Sequence, residues 1–133
     1  MIKNKGDNMQ ISELVNEVNQ EQELLQLCDK LCDDLLTEHK KQYPTLTDQF
    51  YEYKVSRKYI KIISGSTGRH AQRSVWGFIN KAEWTKSSGI TFQCGDVLKA
   101  AGWATPALNA PRGNLFEGYK IVGMRKYGPD YLI

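Results

Sequence analysis

The feature that most limits how this chain can fold is an apolar series in its first third. Positions 11, 14, 15 and 18, then 24, 25, 28, 31, 32 and 35, are apolar and recur at intervals of three and four, the period of one face of an α-helix. Asp7 or Asn8 offers a cap at the start, Lys40 and Lys41 suit the negative end, and Pro44 stops the pattern. The series therefore predicts an amphipathic helix from about Gln10 to Gln42. Unbroken, a helix of about 33 residues reaches about 50 Å. That is longer than a domain built from the 84 residues after Gln49, so part of its apolar face needs another partner, and self-association into a homo-oligomer is the natural one. The polar run NQEQ at 19–22 supports the other reading, a helix broken there that folds back on its own sheet.

Charge divides the chain at the same place. Residues 1–49 hold five lysines against ten acids, a net −5, whereas residues 50–133 hold thirteen Lys and Arg against five acids, a net +8. Thirteen of the fourteen aromatic residues lie in the basic part, with only Tyr43 before it. Three segments follow: a polar N-terminus, 1–9, expected to be disordered; an acidic helical segment, 10–44; and a basic, aromatic-rich β domain, 50–133. No apolar run approaches the roughly 20 residues that span a bilayer, and the opening MIKNKGDNMQ has no apolar core of a secretory signal. A cytoplasmic protein without membrane partners is expected.

The basic segment reads as strands. FYEYKVS (50–56), KYIKIIS (58–64) and SVWGFIN (74–80) are rich in β-branched and aromatic residues. GSTGRHAQR (65–73) has the composition of a flexible loop, KAEWTKSSG (81–89) that of a turn region, and ITFQ and DVLKAA (90–101) suggest short strands about Gly95. The prolines of WATPALNAPRGN (103–114) favour a structured loop, and LFEGYKIVGMRKYG (115–128) reads as one or two further strands. The fold class expected is α+β: a long N-terminal helix, continuous or broken, followed by a small, mostly antiparallel sheet or half-open barrel.

Between Arg73 and Gly118 the aromatics Trp76, Phe78, Trp84, Trp103 and Phe116 interleave with Arg73, Lys99 and Arg112. Cations neutralise phosphate and flat rings stack on bases, so the combination suits single-stranded nucleic acid or a nucleotide. In APRGN, Arg112 and Asn114 flank Gly113 and offer a guanidinium and an amide to a phosphate or base edge. The ligand-binding set expected is Arg73, Trp84, Lys99, Trp103, Asn109, Arg112 and Asn114, with Lys54, Arg57, Lys58 and Arg69 as a secondary basic strip. Alternation places Lys54 and Lys58 on one face with Lys61 opposite, unless a turn near Ser56–Arg57 resets the register. The competing reading of the rings is a sheet core, strongest for Phe78, whose neighbours Val75 and Ile79 also look buried.

Catalysis finds little support. The chain has no Walker A sequence, no GxSxG and no HExxH, and the acids of its basic part are widely spaced. A metal-independent nuclease using His70 is the remaining enzymatic route. Cys28 and Cys32 lie four apart, as two zinc ligands would, but within the apolar series, where buried cysteine behaves as a small hydrophobe. No metal site, cofactor or disulfide framework is expected.

The run SVWGFI, a spacer, then GDVLKAAGWATPALNAPRGNLFEG resembles a motif of small bacteriophage-encoded proteins. In that motif an S-V-x-x-F-[IV] strand precedes G-D-[IV]-[LY]-K-x-A-x-W-x-x-P-A and R-G-N-[IL]-F. The resemblance covers about 73–118, rests on Ser74, Val75, Phe78, Gly95, Asp96, Lys99, Ala101, Trp103, Pro106, Ala107, Arg112, Gly113 and Asn114, and excludes the helix. It implies phage origin and hence an infected bacterial host cell; such proteins are often nucleic-acid handlers or inhibitors of host defence. The function expected is a non-enzymatic protein that binds a phosphate-bearing ligand. The alternative is a counter-defence protein that sequesters a cyclic-nucleotide-type signal or blocks a host defence protein by contact.

Overall fold

The computed structural model describes residues 11–68 and 71–118, with helix side chains from Asn19 onward. Among the described residues one helix, α1 (Ile11–Gln42), precedes six strands: β1 (Gln49–Val55), β2 (Tyr59–Ser66), β3 (Gln72–Asn80), β4 (Trp84–Thr85), β5 (Thr91–Phe92) and β6 (Val97–Leu98). A 3-10 turn, Leu115–Glu117, closes the described part of the chain. The fold is α+β. Its main sheet is antiparallel and open, in the order β1-β2-β3-β6, and β4 and β5 form a separate two-stranded ribbon. Arg69, His70, the expected strands beyond Gly118 and the polar 1–9 segment lie outside the described residues.

The helix is continuous through NQEQ. Those four residues are exposed, and Leu24 on the next turn is already buried, so the polar run widens the solvent face without breaking the helix. Leu24, Cys28, Leu31, Cys32 and Leu35 then keep one stripe in contact with the sheet. After Gln42 the Tyr43 N–H bonds the His39 carbonyl at 2.8 Å, and Pro44 cannot extend the ladder.

Two hydrophobic cores lie on opposite sides of the sheet, the second of them against β3 and β6, which leaves side chains of β1 exposed on that far side. On the helix side, Ile60 and Ile62 of β2, Trp76 and Ile79 of β3, Val97 and Leu115 meet the helical stripe, flanked by Tyr51 and Tyr53 of β1. On the other side, Phe78, Leu98 and Phe92 pack with Tyr59, Val75, Trp84 and Leu108. A β-bulge joins the two arrangements: Ile62 pairs with Gly77 and Ile63 with Val75, so Trp76 is the extra residue. The bulge turns Trp76 into the helix-side core, fully buried, while Val75 and Phe78 face the second core.

Three expectations of element boundaries change. Gly65 and Ser66 continue β2, and Gln72 and Arg73 begin β3, so four of the residues expected in a loop at 65–73 belong to strands instead. Trp84 and Thr85, expected in a turn, pair with Phe92 and Thr91. Residues 115–117 form the 3-10 turn where a strand was expected, because Asn114 caps it, accepting from the Phe116 N–H at 2.8 Å, and Gly118 leaves it at a left-handed φ of 81°.

Candidate functional site

The β1–β2 register decides which cations share a surface. Because the chain turns at 56–58, Lys54 pairs with Lys61 and both project from the face opposite α1. Unbroken alternation would have separated them. Phe50, Gly65 and Arg73 lie on that same face one pair after another, and so do Glu52, Ile63 and Val75. Trp103 joins from the loop after β6: it is 54% exposed, and the Lys61 ammonium lies 4.4 Å from its ring centroid. Arg73 forms an ion pair with Glu52 and lies over the Phe50 ring, 5.7 Å from the centroid. The face thus carries Lys54, Lys61 and Arg73, the exposed Trp103 ring, the half-buried Phe50 ring and one partly neutralising carboxylate.

A second concentration lies at the tip of the β1–β2 hairpin. Trp84 stacks on Phe92 with centroids 5.1 Å apart, and the Lys58 ammonium sits 3.6 Å from the Trp84 centroid. The Trp84 indole N–H donates to Asn80 Oδ1 at 3.0 Å, and the buried Asn80 amide donates to the Ala82 and Gln93 carbonyls. Arg57, Lys58, Lys81 and Glu83 line the groove beside this indole.

The most recognisable residues of the sequence serve the frame. Asn114 is buried; its amide donates to the Cys94 carbonyl and to Asp96 Oδ1, both at 2.9 Å. Asp96 Oδ2 accepts from the Gln93 N–H at 2.7 Å. The backbone follows suit, with Val97 N–H to the Gly113 carbonyl, Arg112 N–H to the Val97 carbonyl and Leu115 N–H to the Gly95 carbonyl. Arg112 is buried, donates to Asn109 Oδ1 and the Ala110 carbonyl at 2.7 Å each, and has its pKa lowered by that burial. Asn109 is exposed but faces Arg112, and Lys99 is half-buried, its carbonyl accepting from Ala107.

The structure therefore divides the expected ligand set. Trp103 and Arg73 share the sheet face with Lys54, Trp84 meets Arg57 and Lys58 at the hairpin tip, and Arg112, Asn109 and Asn114 tie the loops together. Lys61 and Lys81 complete the two surfaces and were not in the expected set. The signal for Lys61 was the Ser-Arg-Lys turn, which resets the pairing; Lys81 carried none. Cys28 and Cys32 face the core, and burial pushes each thiol up to about 12. Among the described residues no three His, Cys, Asp or Glu side chains group as a metal site, and no helix is long and apolar enough to cross a membrane.

Fold and surface together define an α+β protein whose sheet carries, beside its second core, a patch of cations and partly exposed rings. The chain belongs to a family of unknown function, DUF7717, whose match spans residues 5–122 and so takes in both the helix and the sheet. No curated protein and no solved structure matches it significantly.

Proposed function

We propose that this is a non-enzymatic, phage-encoded protein that binds single-stranded nucleic acid across the open face of its sheet. The observation that carries the reading is the pairing of Lys61 with the exposed Trp103 ring beside Lys54. Lysine ammonium groups supply the sequence-independent attraction to phosphate, and an exposed indole supplies a stacking platform that accepts any base. An open sheet face suits an extended strand; a duplex would keep its bases away from the ring. Phage origin rests on the motif resemblance.

The test is fluorescence anisotropy of a labelled oligothymidylate titrated with the protein at several salt concentrations, with a duplex as competitor. The reading expects saturable binding that weakens as salt rises and that the duplex displaces poorly. Binding that ignores salt, or that the duplex displaces as well as the single strand does, would sink it.

A further inference from the structure

We propose that the groove at the tip of the β1–β2 hairpin is a second binding site, which takes a nucleoside phosphate. This goes beyond the sheet-face reading and stands on different residues. Two open grooves of 670 and 470 Å³ adjoin there and share Arg57, Lys81, Ala82 and Glu83, volumes within the range of small-molecule sites.

The walls are held in place before any ligand arrives. The Lys81 side chain donates to the Ser56 carbonyl at 3.1 Å and its N–H to the Lys58 carbonyl at 3.2 Å, so the cation is tied to the hairpin tip. Phe92 beneath and Asn80 at the indole N–H fix the Trp84 ring. Such anchoring lowers the ordering cost of binding.

The groove carries both signs, and this selects the ligand. Arg57, Lys81 and Glu83 line both parts, Lys58 lines the smaller one beside Trp84, and Glu21 and Glu117 line the larger. Three carboxylates repel a polyanion, and inorganic phosphate has no use for an indole. A nucleoside phosphate uses every wall: its phosphate accepts from Arg57 and Lys81, its ribose hydroxyls donate to Glu83, and its base lies over Trp84. The Lys58 ammonium now holds the place of the base over the ring and moves to the phosphate when the base arrives.

The experiment is a titration of the full chain with AMP, followed by nitrogen–proton spectroscopy. The chain has three tryptophans and so three indole N–H signals; that of Trp84 is assigned by its loss in Trp84→Phe. AMP is expected to move the Trp84 signal and leave that of Trp103 in place, to bind more tightly than inorganic phosphate, and to lose about tenfold in affinity in Arg57→Ala. Arg57 is exposed on the turn, so that variant keeps the fold. Lys58→Ala uncovers the ring and is expected to strengthen adenosine binding. No Trp84 shift at about 5 mM AMP, equal affinity for phosphate and AMP, or a shift confined to Trp103 would overturn the proposal. Loss of oligothymidylate binding alone would bear on the sheet face and leave the groove standing.

Discussion

Lys61 and Trp103 are far apart in the sequence and meet on the open face of the sheet, the ammonium 4.4 Å from the indole centroid. Lys61 is fixed by its pairing with Lys54 and Phe78 on either side. Trp103 is held by a loop whose ends are sewn together: the Ala101 and Gly102 N–H groups bond the Thr105 carbonyl, and the Ala107 N–H bonds the Lys99 carbonyl. A half-exposed ring on a braced loop suits contact with a partner more than it suits core packing.

Trp103→Ala is expected to weaken oligothymidylate binding by about 1–3 kcal/mol, the usual worth of one base–aromatic stack. Its midpoint in urea should move little, because the ring is 54% exposed and exposed positions seldom matter by more than about 0.5 kcal/mol. Anisotropy and urea unfolding on the same samples check both halves. A variant that loses stability and binding together would assign the ring to the fold.

Lys54→Ala with Lys61→Ala should flatten the salt dependence. Each phosphate contact on a single strand contributes about 0.7 to the slope of log affinity against log salt. Loss of two contacts should reduce the slope by about 1.4, while Lys30→Ala, on the exposed side of the helix and paired with Asp34, leaves it unchanged. Equal slopes for all three proteins would remove phosphate contact from the sheet face.

Asn114→Ala is expected to cost about 2–4 kcal/mol of stability. It strips a donor from the buried Asp96 carboxylate and one from the Cys94 carbonyl, and removes the cap of the 3-10 turn. Thermal unfolding measures this directly. If Asn114 contacts ligand, the loss should appear in affinity with the melting temperature held.

The helix and the three long strands were legible because hydrophobic period is a local property: the stripe from Leu24 to Leu35 and the β-branched run at 60–63 each report their own burial. Whether the helix survives NQEQ was open because exposed polar residues are compatible with either outcome, and the packing of Leu24 decides it. The cations and rings of the candidate surfaces are visible in composition, but which of them the fold turns inward is not. Arg112 and Asn114 read as ligand groups because an arginine, a glycine and an asparagine in a row have the chemistry of an anion site; the same chemistry satisfies buried carbonyls and Asp96 when a loop folds over them. The side of Lys61 was open because it depends on whether a turn near Ser56–Arg57 resets the register, and the pairing of Lys54 with Lys61 decides it.

Gly65→Ala tests how tightly the sheet face is built. A Cβ at that position would lie 2.5 Å from Phe50 Cζ and 2.8 Å from the Gln72 carbonyl oxygen. One neighbour is a side chain that can move and the other is backbone that cannot do so cheaply. A loss of about 1–3 kcal/mol is expected, and adding Phe50→Ala should recover only part of it, since the carbonyl stays. Full recovery would place the whole conflict on the ring.

The buried thiols make a last prediction, in pH. Burial, with a smaller push from neighbouring negative charge, raises Cys28 and Cys32 from 9.0 to about 12. Between those values the unfolded chain loses the thiol protons and the folded chain keeps them, so stability falls as pH rises. The contribution is whole below about pH 9 and is lost progressively towards pH 12, at a limiting slope of about 1.4 kcal/mol per pH unit for each thiol. Burial raises the Cys94 thiol and the Tyr53 and Tyr59 phenols too, so they act in the same direction. Urea unfolding under reductant at intervals from neutral to strongly alkaline pH should show a plateau and then a decline. Replacing both helix thiols by alanine should lower the plateau through lost packing and make the decline shallower. An equally steep decline in that variant would assign the alkaline sensitivity to Cys94 and the tyrosines.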